Sequence, residues 1–297
     1  MPPAPVSFPA ELVEEIIKSA WSLPLCADDR IILMTSLSMV HSIWRQAYIQ
    51  VSSRDVYIPC VSYHDRFLGI LRRECKFYDK DTQACMESKC RSITFNIEHP
   101  PVPQVGPTID YPAAKAMADL LYFLSDDQFP SVPNLRKIAI YYHNMNFADI
   151  FENLRLSDFP SQVVELEIFH TFSPQVPKFL VLALRNKDES HLHLFWRMPH
   201  IRHLTLVGVG CDYVANMVAV CPNLETLELW LPPDSWLHVY IPYSFRRILL
   251  HVPKDADLSE NRLSCPHKYT LPLPAVHNQR RWLFIKNKDE RQLCELG

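Results

Sequence analysis

Two neighbouring stretches, Ile201-Arg202-His203-Leu204-Thr205-Leu206 and Leu224-Glu225-Thr226-Leu227-Glu228-Leu229, decide the fold of this chain. Both follow one template: an apolar residue, two residues of any kind, an apolar residue, one further residue, and a last apolar residue. Alternation of this kind places every second side chain on the same face of a β-strand. Each stretch therefore predicts a short strand with one apolar face.

The template, or a fragment of it, recurs along most of the chain. Seven segments carry it, at 55–58, 90–95, 135–140, 163–168, 201–206, 224–229 and 245–250. The steps between their middle apolar residues are 37, 45, 28, 38, 23 and 21 residues, and the last two fall within the 20 to 29 residues of a leucine-rich repeat. Two of the segments also share a Pro-Asn-Leu lead-in, at 133–135 and 222–224.

Helical patterns lie between these strand segments. Apolar residues at three- and four-residue spacing predict helices over 113–125, 147–154, 179–184 and 214–218. Strands that alternate with helices indicate parallel pairing through crossover connections. Each such unit can bury its apolar face only against its neighbours, so the pattern predicts an irregular solenoid with a parallel sheet.

The N-terminal part of the chain has a helical pattern and not the strand template. From Pro9 onward, Leu12, Val13, Ile16 and Ile17 form one apolar stripe at helical spacing. Two further helical patterns follow, and Asp28 or Asp29 is a suitable N-cap for the first of them. Residues 8–50 therefore predict three short helices.

Composition excludes several classes of function. The net charge is −3 with both signs interspersed, so there is no basic run that would favour nucleic acid. Residues 1–7 do not have the basic and long apolar regions of a signal peptide, and no stretch has the ~20 apolar residues of a membrane helix. We therefore expect a cytoplasmic or nuclear protein without a membrane partner.

The nine cysteines are scattered and include no Cys-x-x-Cys pair, which is typical of reduced thiols. Cys75, Cys85, Cys90 and His99 are the nearest approach to a zinc site, but their spacings match no usual pattern of paired ligands. No nucleophile elbow, phosphate-binding loop or dinucleotide fingerprint occurs. We expect no metal, no cofactor and no catalytic residues.

The N-terminal residues resemble the F-box, a helical motif of substrate-recognition subunits in cullin-type ubiquitin ligases. Members open with Leu-Pro-x-Glu-Leu and close with a Trp-Arg pair, and here the corresponding runs are Phe8-Pro9-Ala10-Glu11-Leu12 and Trp44-Arg45. The whole chain looks like the F-box proteins that are numerous in mushroom-forming fungi. Those proteins often carry a stretch similar to 21–30 and a run similar to 51–56.

The resemblance implies a binding role for the helices. An F-box presents an apolar helical face to a groove of a small adaptor subunit, which bridges to the cullin scaffold. The residues that the resemblance assigns to adaptor binding are Pro9, Leu12, Val13, Ile16, Leu33 and Trp44. The alternative for these residues is packing inside the helical module or against the first repeat, as a cap of the solenoid. Packing in the core is favoured over adaptor binding most clearly for Trp44.

A partner protein is expected on the repeat region. The apolar residues of each strand should lie in the core, whereas the intervening side chains point away from it. The candidate partner-binding residues are Arg202, His203, Thr205, Glu225, Thr226 and Glu228. A third possibility is a hydrolase with a site built between loops, which would require a deep pocket with convergent titratable groups.

Together these patterns predict an α/β chain, α+β overall, in four parts. The parts are a disordered lead at 1–7, an F-box-like helical module at 8–50, an irregular leucine-rich-repeat array at 51–251 and a C-terminal cap and tail at 252–297. Trp282-Leu283-Phe284-Ile285 is a candidate last strand or cap, and Lys286 to Gly297 is expected to be frayed. The expected function is substrate recognition for a ubiquitin ligase, and the alternative is a repeat scaffold that binds no adaptor.

Overall fold

A computed structural model describes residues 9–74, 80–98, 112–125, 132–144, 159–179, 181, 197–230, 246–252, 281–287 and 291–296. Three helices open it: α1 at Ala10–Trp21, α2 at Ala27–Met39 and α3 at Ser42–Arg54. Their shared core contains Val13, Ile17, Trp21, Met34, Leu37, Ala47 and Val51. These three helices confirm the prediction for residues 8–50.

Helix α2 begins differently from its predicted start. Its N-cap is Cys26, whose sulfur accepts a hydrogen bond from the Asp29 amide at 3.4 Å. Asp28 and Asp29 lie in the first turn instead. Carboxylates are favourable there, because the free amides of a helix N-terminus carry partial positive charge.

The nine described strands form one sheet whose spatial order follows the chain order. Strands β1 to β8 pair in parallel, and β9 pairs with β8 in antiparallel orientation. Their bounds are Asp55–Ile58, Ser92–Glu98, Lys137–His143, Glu165–Thr171, His203–Val207, Thr226–Trp230, Arg247–Val252, Arg281–Asn287 and Arg291–Leu296. The mixed α/β class, with helices first and a parallel sheet after them, is thereby confirmed.

The register of the sheet aligns the predicted apolar positions. The middle apolar residue of each segment is paired with that of the next, as in Ile93, Ile138 and Leu166, and the last apolar residues align in the same way. A one-residue slip would turn every one of these side chains to the other face, so burial of one face specifies the register.

Among the described residues, four further helices pack on the apolar face of the sheet. They are α4 at Val61–Leu71, α5 at Lys80–Lys89, α6 at Pro112–Ser125 and α7 at Cys211–Val220. Residues of all four belong to the same core cluster as the strands. We call the other side of the sheet the open face, because most of its described side chains are half-buried or exposed. A parallel sheet normally has both faces covered, so an open face is a place to look for a partner.

A repeated turn connects successive units. The amides of Leu135, Val163, Ile201 and Leu224 each donate to the carbonyl oxygen three residues earlier, at 3.1 to 3.3 Å. In the two Pro-Asn-Leu lead-ins, the asparagine amide reaches the preceding unit. Asn134 Nδ2 donates to the backbone carbonyl oxygen of Ser88 at 2.5 Å, and Asn223 Nδ2 donates to that of Pro199 at 2.9 Å. The recurring asparagine thus joins one unit to the next.

Replacing Asn223 by alanine should lower the free energy of unfolding by about 1 kcal/mol, the usual loss for one hydrogen bond. His200 holds the equivalent place in the preceding unit and is exposed, with no side-chain hydrogen bond in the described part of the chain. His200→Ala is therefore the matched control and should change stability by less than about 0.5 kcal/mol. Urea unfolding followed by circular dichroism measures both. Equal losses would show that the asparagine contact contributes nothing.

Several sequence expectations differ from the structure. Residues 291–296 form strand β9, so the expectation of a frayed end from Lys286 was wrong there. Helices α4 and α5 had no counterpart among the predicted helices. The expected helix over 147–154, most of that over 179–184 and the lead at 1–7 lie outside the described residues. The helices over 113–125 and 214–218 are confirmed as α6 and α7.

Candidate functional site

The first candidate surface is the outer face of α1. Leu12 and Ile16 are 52 % and 45 % exposed, although each has an apolar neighbour, Val13 or Ile17, buried in the helical core. Residues four apart lie on the same face of a helix, so these two side chains form one apolar stripe. Pro9 is also exposed and occupies the N-cap position, where its carbonyl accepts from the amides of Leu12 and Val13.

The other residues assigned to adaptor binding are less accessible. Val13 is only 1 % exposed, so its side chain packs inside the helical module. Leu33 and Trp44 are half-buried and pack against the same core. On α2 the exposed apolar side chains are instead Ile32 and Met39. They are seven residues apart, which places them on one face of that helix.

The helical module is also attached to the edge of the sheet. Helix α3 runs directly into β1, and the indole Nε1 of Trp21 donates to the Asp55 carbonyl oxygen at 2.8 Å. The Trp21 ring also packs edge-on against Tyr48 at 5.8 Å. The three helices therefore cap the first strand while they expose Leu12 and Ile16.

A buried arginine organises the connection between α1 and α2. Arg30 is 5 % exposed, and its two terminal nitrogens donate to the carbonyl oxygens of Trp21 and Leu23 at 2.6 and 2.7 Å. Its guanidinium also lies over the rings of Trp21 and Tyr57, at 5.3 and 4.7 Å from their centroids. Burial lowers the pKa of Arg30, but a guanidinium stays charged. The sequence pattern does not reveal this role of Arg30, because its partners are backbone carbonyls.

The second candidate surface is the open face. His203, Thr205, Thr226 and Glu228 lie on it as predicted from the alternation, half-buried or exposed. Arg202 and Glu225 immediately precede their strands, and they form an ion pair at 2.7 Å. Glu228 accepts a hydrogen bond from His251 at 2.6 Å. The structure thus brings all six residues to two adjacent strands.

A row of aromatic residues on this face was not predicted. The rings of Tyr141 and Phe169 stack with centroids 4.3 Å apart, and those of Trp230 and His251 stack at 3.8 Å. Val207 lies between the two pairs in the register of the sheet. Single aromatic residues scattered over several strands are unremarkable in sequence, and only the register shows that these four lie in one row. Tyr141 and Trp230 are both exposed.

A groove of about 1110 Å³ lies between the helical module and the first strands of the open face. Side chains of β1 to β3 line its floor, including Tyr57, Thr94 and Tyr141, and Trp21 and Arg30 line its wall. Burial raises the pKa values of Tyr57 and Tyr141, so both phenols remain protonated at neutral pH. They can donate hydrogen bonds to a bound group, which suits recognition better than nucleophilic chemistry.

The described cysteines do not form a metal site. Cys90, part of the zinc candidate, is buried in the sheet core, and burial raises its pKa to about 12, so it is a neutral thiol. Cys75 and His99 lie outside the described residues, as does the side chain of Cys85. Among the residues that are described, no three histidines, cysteines or carboxylates are grouped to hold a metal ion.

Comparison with known proteins identifies no family. No model of a protein family matches the chain, and no curated protein matches it. Within the part of the chain that is described, no helix is long and apolar enough to cross a membrane.

Proposed function

We propose that this chain is a substrate-recognition subunit of a cullin-type ubiquitin ligase. In this proposal the N-terminal helices bind the adaptor subunit, and the open face binds the protein to be modified. The observation that carries this proposal is that the four apolar residues of α1 are divided between two environments. Val13 and Ile17 are buried in the helical core, whereas Leu12 and Ile16 are exposed to solvent. A helix that only capped the sheet would bury both pairs, whereas an exposed apolar stripe is typical of an interface.

The repeat array of the proposal has separate support. The parallel strands follow one another in chain order, their apolar positions align, and the same turn precedes four of them. These are properties of a leucine-rich-repeat solenoid, in which each unit packs against its neighbours.

The mechanism of such a subunit is proximity. It holds a partner protein beside a charged ubiquitin-conjugating enzyme, so that a bimolecular encounter becomes a local one. The chain itself contributes binding surfaces and no chemical step. The aromatic row on the open face provides the large rigid side chains that carry most of the energy at protein interfaces.

The second candidate is a repeat scaffold that binds no adaptor. Its support is the attachment of the helices to the sheet through α3 and through the bond from Trp21 to Asp55. The two proposals differ in one measurable property, which is binding to the adaptor.

The test is a binding measurement between the purified chain and the adaptor subunit encoded in the same genome. The double variant Leu12→Asp, Ile16→Asp should lose at least about 100-fold in affinity, because two carboxylates would be buried in an apolar interface. Both positions are exposed, so the thermal unfolding of the double variant should stay close to that of the wild type.

Tyr122→Asp is the matched control. Tyr122 is 60 % exposed on α6, so it undergoes the same change from apolar to acidic at a site remote from α1. It should bind the adaptor with unchanged affinity. A well-folded wild type that shows no binding would favour the scaffold, and equal losses in the control would show that α1 is not the interface.

A further inference from the structure

Arginine recurs at the position just before successive parallel strands, so these residues line the side of the sheet where the N-terminal ends of the strands lie. The backbone amides at this edge form a continuous series, in which each donates to the carbonyl oxygen of the equivalent residue in the preceding unit at 2.7 to 2.9 Å. Five of its seven members are arginine. In order they are Arg54, Arg91, Arg136, Val164, Arg202, Glu225 and Arg246.

The side chains of this series are spaced by the sheet itself. Neighbouring strands lie about 4.8 Å apart, so Arg54, Arg91 and Arg136 extend over roughly 10 Å. All three are exposed. Arg91 makes no side-chain hydrogen bond or ion pair within the described part of the chain, whereas Arg136 donates to the carbonyl oxygens of Pro133 and Leu135.

The two ends of the series differ in charge. At the far end, the two arginines share one carboxylate, because Glu225 pairs with Arg202 at 2.7 Å and with Arg246 at 3.7 Å. At the near end, Lys89 is exposed, contacts Gln50 and lines the same groove as Arg54 and Arg91. Two carboxylates lie in this part of the sheet: Asp55, at 3.7 Å from Arg54, and Glu165, whose amide donates to the Arg136 carbonyl oxygen. We call Arg54, Lys89, Arg91 and Arg136 the basic corner.

The basic corner opens into the groove. Arg54, Lys89 and Arg91 line it, together with the hydrogen-bonding side chains of Ser92 and Asn96. Arg30 also lines it and is buried, and its Nε has no hydrogen-bond partner in the described structure. The groove lining also contains the carboxylates of Glu14, Asp55 and Glu98 and the ammonium group of Lys18. An extended chain can therefore pass from the exposed arginines into a groove of mixed charge whose wall holds Arg30.

We propose that the basic corner and the groove bind an extended acidic segment of a partner protein. Guanidinium groups pair with carboxylates through two parallel hydrogen bonds, which gives orientation as well as attraction. The inference rests on the proposed function only in taking that partner as the protein to be ubiquitinated. A peptide fits better than a nucleic acid, because a peptide can place neutral residues opposite Asp55 and Glu165, whereas a nucleic acid carries a negative charge at every phosphate.

The probe is a fluorescent peptide of about ten residues that alternates glutamate and serine, which is long enough in extended form to span the corner and enter the groove. Fluorescence anisotropy at low salt should show binding that weakens as salt is added. Arg91→Glu should lower the affinity about tenfold or more, since it replaces attraction by repulsion. Arg91→Lys keeps the charge and should lose less.

Lys115→Glu is the matched control, because it makes the same change of charge at an exposed position on α6. It should change the affinity less than about twofold. Equal losses in Arg91→Glu and Lys115→Glu, no binding of the acidic peptide, or equal binding of a glutamine–serine peptide would each overturn the proposal. Tighter binding of a single-stranded DNA of similar length would also overturn it, in favour of a polyanion site.

Adaptor binding separates this inference from the proposed function. Arg91→Glu should bind the adaptor as the wild type does, and Leu12→Asp, Ile16→Asp should bind the acidic peptide as the wild type does. If the wild type binds the peptide but not the adaptor, the acidic-segment site stands and the ligase function fails. If it binds the adaptor but not the peptide, the site proposed here fails alone.

Discussion

Replacing Gly208 by alanine should destabilise the folded protein by about 3 kcal/mol. Gly208 follows β5 with φ at +74°, a backbone conformation that side chains with a Cβ rarely adopt. A Cβ at this residue would lie 2.2 Å from the carbonyl oxygen of His170 in β4. On the other side, the Gly208 amide donates to the Trp230 oxygen in β6 at 2.9 Å. The backbone is held from both neighbouring strands, so relief of the clash must displace the sheet.

Gly69→Ala is the control with the opposite sign. Gly69 lies inside α4, and a Cβ there would meet no atom within 4 Å. Alanine should therefore stabilise the protein by about 0.5 to 1 kcal/mol through its higher helix propensity. Urea unfolding followed by circular dichroism reads both changes. If the Gly208→Ala variant is as stable as the wild type, the turn after β5 does not approach β4 as described.

Leu206→Ala should lower the free energy of unfolding by about 3 kcal/mol, within the range for large-to-small changes in a close-packed core. Leu206 has no exposed surface and lies in register between Ile168 and Leu229, which are also buried. Three neighbouring strands thus pack their side chains at the same level, and the cavity left by alanine has little room to collapse.

Val207→Ala tests the orientation of the same strand. Val207 is the next residue, and it lies half-buried on the open face. Its truncation should cost less than about 1 kcal/mol, because little apolar surface is buried there. The ratio of the two losses, from the same urea unfolding experiment, reports which face of β5 is in the core. A larger loss for Val207→Ala would reverse the assignment of the two faces.

The strands were predictable because local pattern and tertiary structure agree. Each predicted segment from 90–95 onward begins two residues before its strand. The reason is that the first apolar residue of the template, such as Leu135 or Leu224, is buried in the turn that leads into the strand. Helices α4 and α5 were missed, and α5 has a predominantly polar sequence without a clear apolar stripe. Propensity alone does not locate such a helix, since packing stabilises it.

The apolar residues of α1 were predictable only as a group. The sequence shows Leu12, Val13, Ile16 and Ile17 as one stripe, because a helical pattern records apolar spacing and not the direction of the neighbouring helices. The packing of α3 against α1 decides which part is buried, and it covers Val13 and Ile17. Leu12 and Ile16 are left exposed, whereas Val13, which the resemblance assigns to adaptor binding, is buried.

By itself, then, the amino-acid sequence determined the strand segments, the N-terminal helices and the alternation of core and open-face residues. These depend on the spacing of apolar side chains within a few residues. Only the tertiary structure decided the aromatic row, the buried contacts of Arg30 and the basic corner. Arg54, Arg91 and Arg136 are 37 and 45 residues apart in sequence, and the irregular connections conceal their equivalence. Backbone hydrogen bonds between adjacent strands bring them side by side, because pairing in the sheet depends on register and not on separation along the chain.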